Sequence, residues 1–143
     1  DLYGNHIWYD ITNLRSVQSM FRLKIPFYNP TDPMDYAAQK GHLEIVKWLH
    51  ENRKEGCTKD AMNMAAEKGH LKVIKWLHKN RQEGCTTTAM DAAAENGHLK
   101  VIKWLHKNRT EGCTNMAINY ATKNGHLEVI KWIESNCLVD CER

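Results

Sequence analysis

Residues 69–96 read GHLKVIKWLHKNRQEGCTTTAMDAAAEN, and residues 97–124 read GHLKVIKWLHKNRTEGCTNMAINYATKN. The two stretches share one register over 28 positions. Residues 41–68, GHLEIVKWLHENRKEGCTKDAMNMAAEK, fall in the same register, and residues 125–143, GHLEVIKWIESNCLVDCER, begin a fourth copy that stops early. Gly-His therefore recurs at 41–42, 69–70, 97–98 and 125–126. A fixed period of this kind marks stacked supersecondary units, each burying its apolar surface against its neighbours rather than within itself.

Each unit predicts two helices. The longer, helix B, spans Leu43 to Arg53 in the first copy and carries Leu43, Ile45, Val46, Trp48 and Leu49. At about 100° per residue these cover an arc of roughly 220°, too wide for one buried face and suited to a helix packed on several sides. Glu44, Lys47 and Glu51 form the remaining stripe, which should face water. Gly56 is expected to end the helix as its C′ residue. The shorter helix A spans Lys59 to Lys68 and is N-capped by Thr58, as Thr86 and Thr114 cap the later copies. Small residues at Ala65-Ala66, Ala93-Ala94 and Ala121 let helix backbones approach closely. The glycine before each His allows the sharp reversal from A into B.

The same frame extends to the start of the chain. Asn13-Leu14 to Phe21 overlays on His42-Leu43 to His50, placing Leu14, Val17 and Met20 on Leu43, Val46 and Leu49. Trp8 and Tyr9 then stand where Ala37 and Ala38 sit, and such bulk fits only where no earlier repeat packs. Residues 1–30 are thus expected to form a degenerate capping pair. Regular units follow at 31–58, 59–86 and 87–114, and 115–143 is the C-terminal repeat, all within one domain. Pro26, Pro30 and Pro33 mark the passage into the first unit, where Asp32-Pro33 supply cap and first-turn residue. Five stacked pairs, ten helices in all, with little or no β structure, make an all-α solenoid.

Composition excludes other classes. With 42% apolar and 26% charged residues, 3 Pro and 8 Gly, the chain is ordinary globular material rather than disordered. Apolar residues never run beyond three in succession, so no membrane span is expected in these residues, and no apolar signal-peptide stretch stands at their start. A net charge of +3 does not by itself announce a nucleic-acid binder. The start at Asp1 rather than Met is compatible with a segment of a longer array.

The core Ala93-Ala94-Glu95-Asn96-Gly97-His98-Leu99-Lys100-Val101-Ile102-Lys103, and its copies, resembles the ankyrin repeat over residues 31–143 and more loosely over the first thirty. The resemblance implies antiparallel helix pairs in a right-handed superhelical stack, with a concave face that binds other proteins without catalysis. Two departures stand out. The usual unit has about 33 residues and a β-hairpin finger, whereas Arg53-Lys54-Glu55-Gly56-Cys57-Thr58 is too short for one. The Thr-Pro-Leu-His signature is absent, with Asp35, Asn63, Asp91 and Asn119 at the His position. That His helps hold the finger in the family, so losing both together is consistent.

Five Cys and eight His invite a metal hypothesis. Cys57, Cys85, Cys113 and Cys141 recur once per repeat, and stacked helices lie about 8–10 Å apart, beyond the reach of a disulfide and too far to converge on zinc. These thiols are expected to be reduced, mostly buried, and typical of a cytoplasmic or nuclear location. A Cys137–Cys141 bond stays open as a tail feature. His42, His70, His98 and His126 resemble the family's structural His and are expected to hydrogen-bond across the turn. His50, His78 and His106 lie at the margin of helix B and are expected to be half-buried packing residues. Trp48, Trp76, Trp104 and Trp132 are expected to pack between repeats rather than stack bases. No phosphate loop, HExxH or GxSxG occurs, and every titratable candidate recurs by repeat copying, so no enzyme, cofactor or metal is expected.

Charge breaks the repeat symmetry. Residues 41–68 hold five basic and five acidic residues, whereas 97–124 hold five basic and one acidic. The helix B stripe changes from Glu44, Lys47, Glu51 to Lys72, Lys75, Lys79 and Lys100, Lys103, Lys107. The leading expectation is a protein-interaction scaffold. Carried over from the family, its binding residues are Gln39, Lys40, Glu67, Lys68, Glu95, Asn96, Lys123 and Asn124, with Tyr36, Met64 and Tyr120 as apolar anchors. The alternatives are polyanion or nucleic-acid binding through the six lysines, or a purely structural segment of a repeat assembly. Nucleic acid is the less expected partner.

Overall fold

The computed structural model describes residues 13–22 and 32–137. Among the described residues there are nine helices and no strand. α1 (Leu14–Arg22) precedes four A–B pairs: α2 (Pro33–Gln39) with α3 (Leu43–Asn52), α4 (Lys59–Lys68) with α5 (Leu71–Asn80), α6 (Thr87–Glu95) with α7 (Leu99–Asn108), and α8 (Asn115–Lys123) with α9 (Leu127–Asn136). α1 is the B-type helix expected of the capping pair, and Val17 is buried in the common core. The tenth expected helix, around Trp8 and Tyr9, lies outside the described residues, as does Cys141.

Local chemistry builds each pair. The Thr58, Thr86 and Thr114 hydroxyls accept from the N–H groups of Asp60, Thr88 and Met116 at 3.1, 3.2 and 3.1 Å, which fixes the start of each A helix. Asp32 caps α2 by position only, with no side-chain bond, and Pro33 takes the first helical place. At the far end of α4, the Gly69 N–H donates to Ala66 and the His70 N–H to Ala65, with Gly69 at φ +79°. This is the double bond of a Schellman stop, and a Cβ would resist that backbone angle. His70 then serves as N-cap residue of α5, so one residue closes A and opens B.

Helix B ends earlier than its composition suggests. α3 stops at Asn52, and Arg53 is extended, at φ −127° and ψ 153°. Gly56 is therefore a loop residue, at φ +74°, and not the C′ stop. The reason is that the terminal carbonyls already have donors. Asn52 Nδ2 reaches the Trp48 carbonyl at 2.8 Å and the Arg53 N–H reaches Leu49 at 2.9 Å. Asn80, Asn108 and Asn136 repeat the side-chain stop on Trp76, Trp104 and Trp132. With these groups satisfied, no left-handed residue is required there.

The A helices form the closer stack, and the B helices meet one another more loosely. Ala37, Ala38, Ala65, Ala66, Ala93, Ala94, Ala117 and Ala121 are fully buried along it. Ile45, Val46 and Leu49, and their copies, fill the space between layers, each contributing about 1.5–3 kcal/mol by leaving water. The tryptophans are half-buried, not central. Trp76, Trp104 and Trp132 each stand against the His of the preceding repeat, His50, His78 and His106 respectively, at 5.1–5.2 Å and near 90°. Arg81 Nη1 donates to His50 Nδ1 at 3.3 Å and Arg109 Nη1 to His78 Nδ1 at 3.4 Å, while the same guanidiniums pair with Glu83 and Glu111. Arg, His and Trp thereby lock α3 to α5 and α5 to α7, and His106 with Trp132 joins α7 to α9.

Polar clamps register the A helices. Asp35, Asn63 and Asp91 are buried, and each bonds twice to the capping threonine 23 residues on, Thr58, Thr86 and Thr114 respectively. Residues that stand where the family His would be thus fasten the next helix start instead of a finger. The turn histidines also work between repeats rather than across their own turn. His126 Nε2 donates to the Glu95 carbonyl at 3.0 Å, and the His70 ring bonds the backbone of Gln39. The ring of His70 lies on Gly41 so closely that a Cβ there would sit 2.6 Å from Nδ1.

Candidate interaction surface

Because the A helices share one register, the last turn of each lies in the same strip of surface. The eight polar positions carried over from the family stand at or just past these last turns, and Tyr36, Met64 and Tyr120, the expected apolar anchors, stand just before them. Tyr36 is half-buried at the end of α2, with Lys40 Nζ 5.3 Å from its ring centre, and Gln39 is half-buried beside it. Met64 is half-buried on α4, followed by the Glu67–Lys68 ion pair at 3.3 Å. Glu95 and Asn96 are exposed at the end of α6, and Tyr120 is half-buried on α8 before exposed Lys123 and Asn124.

The polar members differ in how free they are. Asn96 Nδ2 donates to the Ala92 carbonyl at 2.9 Å, closing its own helix. Asn124 Nδ2 donates to the Glu95 carbonyl at 3.0 Å, tying the fourth repeat to the third. Both amides therefore hold the scaffold as well as face water. Lys40 and Lys123 cap or end their helices at the surface. The arrangement offers an apolar foothold in three of four repeats, flanked by charges that change from repeat to repeat. Among the described residues no group of three or more His, Cys, Asp or Glu is placed to hold a metal.

The B layer carries the second candidate. Lys72, Lys75, Lys79, Lys100, Lys103 and Lys107 are all exposed on α5 and α7. The thiols do not form a reactive site. Cys57, Cys85 and Cys113 form no disulfide with one another, and burial, with the Glu83 carboxylate nearby, pushes the Cys57 thiol up to about 11. Burial raises Cys85 in the same direction. The Arg109 guanidinium beside Glu111 holds that carboxyl below its usual range, consistent with a permanently charged loop pair.

Sequence analysis missed the Asp–Thr and Arg–His–Trp contacts. Their signal was present as constant columns, Asp or Asn at 35, 63 and 91 with Thr at 58, 86 and 114, and Arg at 81 and 109 with Glu at 83 and 111. Comparison with families of known proteins finds one match. The family model for ankyrin repeats (3 copies) aligns with residues 34–115 and again with residues 62–142. No curated protein matches the chain. Among the described residues, no helix is long and apolar enough to cross a membrane.

Proposed function

The chain belongs to the ankyrin-repeat family, whose members are typically non-enzymatic and bind other proteins, and on that premise we propose a scaffold that docks a protein partner along the last turns of its A helices. The observation that carries this is the strip itself. Tyr36, Met64 and Tyr120 are half-buried anchors in one register, while the residues beside them change and the frame under them does not. Partly accessible aromatic side chains on a rigid frame lose little entropy on binding and supply the usual hot spots. The whole of residues 1–143 acts as one repeat domain in this proposal, with units beginning at 31, 59, 87 and 115.

The test begins with a pull-down from native cell extract and identification of the captured protein by mass spectrometry. Its affinity is then measured for the wild type and for Tyr36→Ala/Tyr120→Ala. The double variant should bind about tenfold or more weakly. Lys72→Gln/Lys75→Gln/Lys100→Gln/Lys103→Gln should matter much less at physiological salt, since exposed charges chiefly tune on-rate. The opposite pattern would remove the A-helix strip as the docking face.

A further inference from the structure

The six lysines of α5 and α7 are unsupported by the fold. All six are exposed, and none makes an ion pair among the described residues. Neighbouring repeats solve the same positions differently. On α3 the stripe is Glu44, Lys47 and Glu51, with Lys47 Nζ 3.9 Å from Glu44. On α9 it opens with Glu128, and Lys131 follows between Glu128 and Glu134. Glu44 and Glu128 occupy first turns, where negative charge suits the helix dipole. α5 and α7 have no acidic residue in the first turn, and Lys72 and Lys100 stand there instead. Like charges three and four apart add a penalty of a few tenths of a kcal/mol per pair. Two middle repeats thus carry like charges that repel along each helix, Lys72 and Lys100 also opposing the dipole while Lys79 and Lys107 in the last turns suit it, in a cluster that the outer repeats avoid.

We propose that this cluster is a second docking surface, for a short acidic segment of a protein with carboxylates at helical spacing. Size and surroundings select that partner. Lys72 to Lys79 spans about 10 Å along its helix, and α5 to α7 adds about 8–10 Å across. The cluster is bounded by Glu44 and Glu51 on one side and Glu128 on the other. A long polyanion laid along the stack, whether a nucleic acid or a charged bilayer, meets those glutamates. A short acidic segment fits between them. Trp76 and Trp104 are half-buried against histidines, so no free ring is offered for base stacking. The large apolar side chains exposed among the described residues, Met116 and Leu127, lie on other helices and offer nothing here to a membrane.

The experiment uses the full chain and three probes: a fluorescein-labelled helical peptide with Glu at i, i+3 and i+7, a single-stranded oligonucleotide, and vesicles of phosphatidylcholine with phosphatidylserine. The peptide should bind most tightly and weaken about tenfold as salt rises from about 50 to about 200 mM. Lys72→Gln/Lys75→Gln/Lys100→Gln/Lys103→Gln should abolish peptide binding, with its helical circular dichroism unchanged. Glu44→Gln/Glu51→Gln/Glu128→Gln should raise oligonucleotide binding by removing the fence. Tyr36→Ala/Tyr120→Ala should leave peptide affinity as it was, which separates this surface from the A-helix strip. Peptide binding equal in wild type and the lysine variant, or oligonucleotide or vesicle binding tighter than peptide binding, would overturn the proposal.

Discussion

Asp35 and Thr58 are bonded twice across the first repeat boundary. The Thr58 N–H donates to Oδ1 at 2.9 Å and its hydroxyl to Oδ2 at 2.6 Å, while the same hydroxyl oxygen accepts from the Asp60 N–H. One side chain therefore caps α4 and satisfies a carboxylate that is only 3% exposed. Asp91 and Thr114 repeat the arrangement at 2.8 and 2.6 Å, and in the middle boundary Asn63 takes the acid's place.

Thr58→Val keeps the shape and removes the hydroxyl, so it strips the cap and leaves one carboxylate oxygen of Asp35 without its donor. The loss should be about 2 kcal/mol, whereas Thr58→Ser should lose well under half of that. Urea denaturation midpoints of the two variants check this, and equal midpoints would refute the double role.

Asp35 also sets a pH dependence. Burial raises its pKa above the ordinary value, against the pull of the Thr58 hydrogen bonds. The folded state thus holds the proton more tightly than the unfolded chain. Its contribution is largest below the unfolded value near 3.8, falls as pH rises toward the folded value, and is constant above it. Asp35→Asn removes that slope. Asn63 already makes the clamp with an amide, so the variant should equal or exceed wild type in stability at pH 7. The stability difference between the two proteins, measured by urea titration from pH 3 upward, isolates the residue; an Asn variant markedly weaker at pH 7 would contradict it.

His70 works in the opposite sense. Burial lowers its pKa below 6.5, although its ring hydrogen-bonds the Gln39 backbone. The unfolded chain binds the proton more readily. Stability from this group is full above 6.5 and is lost as pH falls toward the lowered folded value. His70→Gln should flatten that part of the stability profile between pH 5 and 7, and an unchanged profile would show that the ring is not held neutral.

Gly69 and Gly125 share a backbone angle and differ in their neighbours. Gly69 is at φ +79° with the His98 ring where a Cβ would go, at 2.7 Å from Nδ1. Gly125 is at φ +74° with nothing within 4 Å. Ala at either position meets the left-handed backbone cost of about 1 kcal/mol or more. Only Gly69→Ala must also displace a histidine, so it should unfold at the lower denaturant concentration. Equal midpoints would mean that the His98 contact is not a tight one.

With its thiol near 11, Cys57 should react with iodoacetamide about a hundredfold more slowly than an unperturbed cysteine at the same pH. Without reductant, denaturation should expose Cys57, Cys85 and Cys113 as titratable thiols. Mass mapping of the alkylated peptides checks both, and a bridge between any two would break the spacing on which the stack depends.

What the sequence determined by itself was everything that repeats within a few residues of chain. The period placed the helices, Thr58, Thr86 and Thr114 marked the A starts, and glycine before histidine marked the reversals, because caps and turns are local hydrogen bonds between neighbours in the chain. The alignment of Gln39, Glu67, Glu95 and Lys123 into one strip follows from the same register. The end of helix B near Arg53 was legible, but Gly56 was wrongly given the C′ role, because Asn52 reaches back to a carbonyl that any count of apolar residues ignores. Only the tertiary structure decided what Asp35, His50 and His70 are for. Their partners lie 23 to 31 residues away, at Thr58, Arg81 and Gln39, and they meet only because stacking sets the distance and rotation between successive pairs.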